Sequence, residues 1–93
     1  MPVGLLTIEL HLPYSHSLKE KRLVIRKLQD RLRARFNVAV SELDFQDTWQ
    51  RSLLGVAAVA SDQSVVESTL RAADEEAVSL FPAEIVRSEL TLL

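Results

Sequence analysis

The chain of 93 residues contains no cysteine and only two glycines. Without cysteine, the protein has no disulfide scaffold, no thiol nucleophile and no cysteine-ligated zinc or iron–sulfur site. Two glycines are too few for a glycine-rich phosphate-binding loop. No apolar run approaches the roughly 20 residues that a transmembrane helix needs. The N-terminal sequence has neither a basic leader nor a small-residue cleavage site, so we expect a cytoplasmic protein.

What the chain does contain is typical of an ordered globular protein. Hydrophobic residues make up 47% of the sequence and charged residues 26%. A chain of this size still buries roughly 60% of the surface that is exposed when it is unfolded. We therefore expect a single domain over residues 1–93 with a hydrophobic core of its own.

The spacing of the apolar residues predicts six elements. Residues 3–12 alternate between apolar and polar side chains, which indicates a strand. Ser17 and Glu20 have the spacing of a capping box, so a helix is expected from residue 18 to about residue 35. The remaining predictions are strands over residues 38–43, 52–60 and 83–92, and a second helix that starts after Ser61 or Asp62 and ends at Pro82. Gly55, inside the third strand, predicts a bulge or a close approach to the backbone.

The resulting order, β-α-β-β-α-β, is that of an α+β ferredoxin-like fold. Right-handed crossovers give a four-stranded antiparallel sheet in the order 4-1-3-2, with both helices on one face and the other face open. Three loops then share one end of the molecule with the start of the first helix. That end is expected to hold Tyr14, His16, Phe45, Trp49 and Phe81.

Charge is distributed unevenly along the chain, although the net charge is only −2. Eight basic and two acidic residues lie between Lys19 and Arg35, so this segment carries +6 and the rest of the chain −8. Such an asymmetry is typical of a surface that faces a polyanion. It is equally typical of a solvated helix face, or of one neutralised in part by acidic residues of the second helix.

A stripe about 60° wide on the first helix carries four of these bases, since successive helical residues are 100° apart. The stripe, hereafter the basic stripe, consists of Lys19, Arg22, Arg26 and Arg33 and lies beside the apolar face. Together with Lys21 near the helix start, these residues are the predicted nucleic-acid or anion contacts, because a row of cations meets several phosphates at once. For Lys21, the alternative is a side chain that covers the edge of the core.

Tyr14 and Trp49 are the only tyrosine and tryptophan of the chain. Each is a candidate for stacking on a base or contacting a partner. The alternative is that they cap one end of a small core. Because the predicted strand centres carry no aromatic residue, base stacking on the sheet, as in RNA-recognition domains, is not expected.

No arrangement of residues indicates catalysis or a cofactor. His11 and His16 do not have the spacing of metal ligands, and no third ligand is evident. Ser17 is expected to cap the helix, because no oriented carboxylate or nucleophile elbow accompanies it. The sequence therefore predicts a protein that is not an enzyme and holds neither metal nor cofactor.

Four segments resemble the YlxP-like family, a small bacterial domain of unknown function: HSLKEKR at 16–22, RFNVAVSE at 35–42, DTWQ at 47–50 and LGVA at 54–57. The resemblance extends over about residues 3–92. It implies a ferredoxin-like fold and no established activity or cofactor. Genes of this family often lie among those for transcription termination, translation initiation and ribosome-binding factors, which suggests a role near RNA or ribosome maturation.

Two functional hypotheses follow from the sequence. The first is an accessory protein without enzymatic activity that binds RNA or a ribosomal particle through the basic first helix. The second is an interaction or regulatory module that forms a homodimer through the open sheet face or an edge strand.

Overall fold

The computed structural model describes residues 2–93 and confirms the ferredoxin-like order of elements. The four strands form one antiparallel sheet in the order β2-β3-β1-β4, which is the predicted order 4-1-3-2. No helix over residues 2–93 is long and apolar enough to cross a membrane. The elements are β1 (Val3–His11), α1 (Leu18–Arg35), β2 (Ala39–Asp44), β3 (Arg51–Val59), α2 (Gln63–Leu80) and β4 (Ile85–Leu92).

The core lies between the helices and one face of the sheet. Along β1, Leu6, Ile8 and Leu10 are buried on this face, and the residues between them are only half-buried. Each helix adds residues three or four positions apart, as expected for an amphipathic helix. These are Ile25, Leu28 and Leu32 of α1, and Val66, Leu70, Ala73 and Ala77 of α2.

Local capping fixes where α1 begins. The Ser17 hydroxyl accepts a hydrogen bond from the Glu20 backbone N–H at 3.1 Å. In return, the Glu20 carboxylate accepts one from the His16 N–H at 2.7 Å. This pairing satisfies two backbone donors at the helix start, which is why the capping box predicted the first residue of α1 correctly.

The predicted convergence of three loops at one end is also present. The His11 N–H donates to the Glu84 carbonyl at 2.8 Å, which joins the loop before β4 to the end of β1. From the turn between β2 and β3, the Gln50 side-chain amide donates to the carbonyls of Pro13 at 3.2 Å and Ser15 at 3.4 Å. The loop before α1 is therefore held against the β2–β3 hairpin.

Gly55 lies at a close approach and not at a bulge. The register of β2 and β3 shifts between Glu42 and Asp44, and that of β1 and β4 shifts after Glu9. At Gly55, an added Cβ atom would lie 2.6 Å from Leu43 Cδ1, because the Leu43 side chain lies over the glycine on the open sheet face. The bulges occur on the edge strands, where pairing on one side only makes an extra residue easier to accommodate.

Candidate nucleic-acid interface

Helix α1 has two basic flanks, and the charge of the flank that faces α2 is partly offset by an acidic residue of that helix. Arg31 Nη1 lies 3.3 Å from one carboxylate oxygen of Glu76, and Arg35 Nη1 lies 3.2 Å from the other. Glu76 belongs to α2, so the acidic second helix offsets part of the charge of the first. The prediction of partial neutralisation within the chain is thus correct for this flank.

The opposite flank, beside β2, carries three cations that remain available. Lys19, Arg22 and Arg26 are exposed, and none forms an ion pair or a side-chain hydrogen bond with any residue between 2 and 93. We refer to these three residues as the N-terminal cations. Arg22 and Arg26 are one helical turn apart, so their Cβ atoms are about 5–6 Å from each other.

Lys21 does not face a ligand, contrary to the predicted phosphate contact. Its side chain is 2% exposed, and its ammonium lies 2.9 Å from Glu42 Oε2 and donates to the Phe45 carbonyl. The same Glu42 oxygen accepts a hydrogen bond from the Ser52 hydroxyl at 2.6 Å. Lys21 therefore holds β2 and the hairpin turn against α1. The physical reason is its position on the helix, which places it among the buried residues.

Arg33, the last member of the basic stripe, is also anchored within the protein. Its Nη2 donates to the Val40 carbonyl at 2.6 Å, and its Nη1 lies 3.8 Å from Asp30. Val40 belongs to the edge strand β2, so this hydrogen bond joins the C-terminal half of α1 to that strand. The side chain is still 48% exposed, and Arg33 fixes one end of the stripe instead of offering a free charge.

A groove of about 230 Å³ runs between α1 and the β2–β3 hairpin. Arg22 and Arg26 line it on the helix side, and Glu42 and Gln46 line it on the hairpin side. The Lys21–Glu42 pair belongs to its lining, so the groove has a charge of +2 once the two arginines are included. The other lining residues are Leu18, Ile25 and Gln29.

Trp49 and Tyr14 lie on the loops at the end of the molecule where α1 begins. Trp49 is 50% exposed and lines a shallow depression with His16 and Gln50. Tyr14 is 49% exposed, and its hydroxyl donates to the Glu84 carboxylate at 3.2 Å. Partial burial, together with the negative charge and hydrogen bond of Glu84, raises the pKa of the Tyr14 phenol. Trp49 thus remains open for stacking, whereas the polar end of Tyr14 is already occupied.

The hairpin turn itself has an unusual backbone. Phe45 has a φ of 65°, in the left-handed region that residues other than glycine seldom adopt. Its N–H donates to the Asp44 carboxylate at 2.7 Å, and the Arg51 guanidinium lies 4.0 Å from the centre of its ring. This backbone conformation supports the hairpin turn, in which the Phe45 carbonyl accepts a hydrogen bond from the Lys21 ammonium.

Sequence reasoning missed the hairpin side of the groove, namely Glu42 and Gln46, and also Gln29 on α1. The one signal in the sequence was the position of Lys21 on the helix, close to that of Ile25 and Leu32, which indicated a buried side chain. A buried cation needs a partner such as a carboxylate, but the sequence did not show which one. No group of three histidine or acidic residues within residues 2–93 is arranged to hold a metal ion.

Comparison with known proteins places these features in a family. Residues 3–90 match the family described as "Protein of unknown function (DUF503)". The uncharacterised protein YlxP of Bacillus subtilis (strain 168) is 47% identical over 55 residues. That match covers 59% of this chain and 60% of YlxP, so it spans less than two thirds of the relative.

A similarity among solved structures concerns the fold alone. The solution structure of a de novo designed protein with a ferredoxin fold superposes with a TM-score of 0.54. It is 9% identical, and the superposition covers 100% of this chain and 83% of the designed one. The family match over nearly the whole chain confirms the YlxP-like resemblance, and the protein belongs to the DUF503 family of proteins of unknown function.

Proposed function

We propose that the protein is an accessory factor without enzymatic activity that binds RNA, alone or in a ribosomal particle, through the N-terminal cations of α1. One observation supports this proposal above all others. On the α2 flank of the helix, Glu76 pairs with Arg31 and Arg35, whereas Lys19, Arg22 and Arg26 have no acidic partner within residues 2–93. Of the eight basic residues of α1, four have an acidic partner within residues 2–93, namely Lys21, Arg31, Arg33 and Arg35. Lys27 is unpaired over the same residues, like the three N-terminal cations, but only the latter lie together on the β2 side, where they present a local positive charge despite a net charge of −2.

The position of these cations strengthens the electrostatic argument. Lys19 lies in the first turn of α1, where the helix dipole favours anions and disfavours positive side chains. A bound phosphate there would offset the repulsion between the dipole and this lysine, and Arg22 and Arg26 continue the positive charge along the helix. RNA phosphates repeat along a strand, so one rigid helix turn can contact more than one of them. The frequent location of YlxP-like genes among ribosome-binding and translation-initiation genes agrees with an RNA target.

A charge-reversal experiment tests the proposal. Arg22→Glu with Arg26→Glu should weaken binding to a fluorescently labelled ribosomal RNA fragment by at least about tenfold, because two phosphate contacts become repulsive. Arg71→Glu with Arg87→Glu is the matched control, because it changes the net charge equally on α2 and on β4. We expect the control to bind within about threefold of the wild type.

Two results would contradict the proposal. The first is equal loss of affinity in both charge-reversal variants, which would indicate net charge alone. The second is unchanged affinity of the Arg22/Arg26 variant. Thermal unfolding of each variant shows that the domain remains folded, and sedimentation with purified ribosomal subunits shows whether a particle binds more tightly than bulk RNA.

A homodimer through the open sheet face is the second candidate function. The observation that favours it is an apolar depression on that face, lined mainly by Leu5, Leu43, Gly55 and Ala57. Leu43 is 47% exposed, and Val59 on the same face is 58% exposed. Exposed apolar surface of this kind marks contact sites in many proteins. This candidate predicts that the mass measured by sedimentation rises with the concentration of the wild-type protein. The Leu43→Glu variant should keep the mass of a monomer at every concentration.

A further inference from the structure

The groove between α1 and the hairpin offers more than positive charge. Its helix side includes the apolar residues Leu18 and Ile25, and its far side includes the polar residue Gln46. Phosphate alone would need only the arginines of the rim. An apolar wall beside hydrogen-bonding groups is instead the usual composition of a site for a flat, partly polar ring.

Glu42 gives the groove a hydrogen-bond acceptor. Its Oε2 is occupied twice, by the Lys21 ammonium at 2.9 Å and by the Ser52 hydroxyl at 2.6 Å. Its Oε1 accepts no hydrogen bond from residues 2–93, and the side chain keeps 22% of its exposure. These two contacts fix the position of the Glu42 carboxylate in the wall of the groove. An ionised carboxylate oxygen attracts N–H donors and repels carbonyl oxygens.

Arg22 and Arg26 lie on the rim of the same groove. If a planar ring of a ligand contacted Glu42, Arg22 and Arg26 would therefore lie close to the backbone of the nucleic acid that carries the ring. The combination of carboxylate, apolar wall and two arginines matches one base and the phosphates on either side of it: the amino group, the face of the ring and the backbone.

We propose that this groove binds one nucleobase of a single-stranded RNA and selects a base that carries an amino group on its pairing edge. Glu42 accepts a hydrogen bond from the amino group of cytosine or adenine, and Arg22 and Arg26 bind the adjoining phosphates. Cytosine N4 is a known donor to carboxylates, whereas uracil presents a carbonyl oxygen at the same position. This inference rests on the proposed RNA binding through α1, and it adds base selectivity to it.

Cytosine and uracil have the same size, so they give the sharpest comparison. Binding of fluorescently labelled oligo(C) and oligo(U) of eight nucleotides is measured at neutral pH and low salt. We expect oligo(C) to bind about tenfold more tightly, which is within the range that one specific base contact provides. Equal affinity for the two oligonucleotides would overturn the proposed base selectivity. The proposed RNA binding through α1 would still hold if Arg22→Glu with Arg26→Glu weakened the binding of both oligonucleotides. If neither oligonucleotide bound, both the base selectivity and the RNA binding through α1 would be overturned.

Two variants separate groove binding from a general difference in stacking. Gln29→Phe should fill the groove and remove the preference for oligo(C), because neither base then reaches Glu42. Glu42→Gln should also remove the preference, since an amide can donate to the uracil carbonyl. Thermal unfolding shows which variants are folded at the temperature of the measurement. A tenfold preference that survives in a folded variant of either kind would overturn the proposal.

Discussion

The Lys21 side chain on α1 is buried to 98%, and its ammonium lies 2.9 Å from the Glu42 carboxylate on β2, in an ion pair between a helix and an edge strand. The hydrogen bonds from Lys21 to the Phe45 carbonyl and from Ser52 to Glu42 satisfy further polar groups of the pair. Such satisfaction is the condition under which a buried pair is tolerated at all. The pair fixes the spacing between α1 and the hairpin, and therefore the width of the groove between them.

Removal of the carboxylate alone should be costly. In Glu42→Ala, the Lys21 ammonium stays buried and keeps only the Phe45 carbonyl as a partner. We expect the free energy of unfolding to fall by about 3 kcal/mol, as for other buried pairs that lose one member. Urea unfolding of the variant measures this change.

A double variant distinguishes ion pairing from packing. Lys21→Met with Glu42→Leu removes both charges and keeps similar volumes, so it should recover at least half of the stability lost in Glu42→Ala. A double variant that is less stable than Glu42→Ala would show that the two side chains contribute independently.

The two glycines of the chain should respond differently to alanine. A Cβ atom at Gly4 would lie 2.7 Å from Leu70 Cδ1 and 2.8 Å from Val66 Cγ1, and both side chains are fully packed in the core. At Gly55, the nearest atom belongs to Leu43, which is half-exposed and able to move aside.

We therefore expect Gly4→Ala to lower the free energy of unfolding by about 1–3 kcal/mol, the usual cost of overpacking. For Gly55→Ala the expected loss is below about 1 kcal/mol, because neither glycine has a positive φ that would add strain. Chemical unfolding of both variants under identical conditions provides the comparison. A larger loss for Gly55→Ala would mean that Leu43 is held rigidly.

The single tyrosine provides a titration probe for the end of the molecule that carries Trp49. Partial burial and the neighbouring Glu84 raise the pKa of Tyr14 above its ordinary value of 10.0. Because the pKa of Tyr14 is higher in the folded protein than in the unfolded chain, the protonated phenol stabilises the fold. This stabilisation is fully present at a pH below the unfolded pKa and is lost as the pH rises through the folded pKa.

Ultraviolet absorbance of the phenolate gives the Tyr14 pKa directly. In Glu84→Gln, the pKa should fall toward 10.0 but remain above it, because burial is the larger cause and persists. A pKa that does not change would show that Tyr14 and Glu84 are not in contact in solution.

The fold was predictable from the sequence because its signals are local. The capping box defined the start of α1, and alternation along β1 identified the core face. The observed ends of the other strands differ from the predicted ends by one or two residues. The reason is that hydrogen bonds between strands distant in sequence decide where each strand stops. For β4, the turn that follows Phe81 is closed by hydrogen bonds from Glu84 and Ile85, so the strand begins later than predicted.

The candidate site was predictable only in part. A helical projection places Lys19, Arg22 and Arg26 on one stripe without any tertiary information. It cannot show that Glu76 pairs with Arg31 and Arg35, because that pairing depends on how α2 packs beside α1. The partners of Lys21 and Arg33 likewise belong to β2 and the hairpin, which approach α1 only in the folded protein.

The salt dependence of RNA binding tests the central claim most directly. The affinity of the wild type and of Arg22→Ala with Arg26→Ala for the same single-stranded RNA is measured across a series of salt concentrations. If both arginines contact phosphates, the logarithmic slope of the variant should be shallower by about 1–2. A slope equal to that of the wild type would contradict the claim that the N-terminal cations of α1 form the RNA-binding surface.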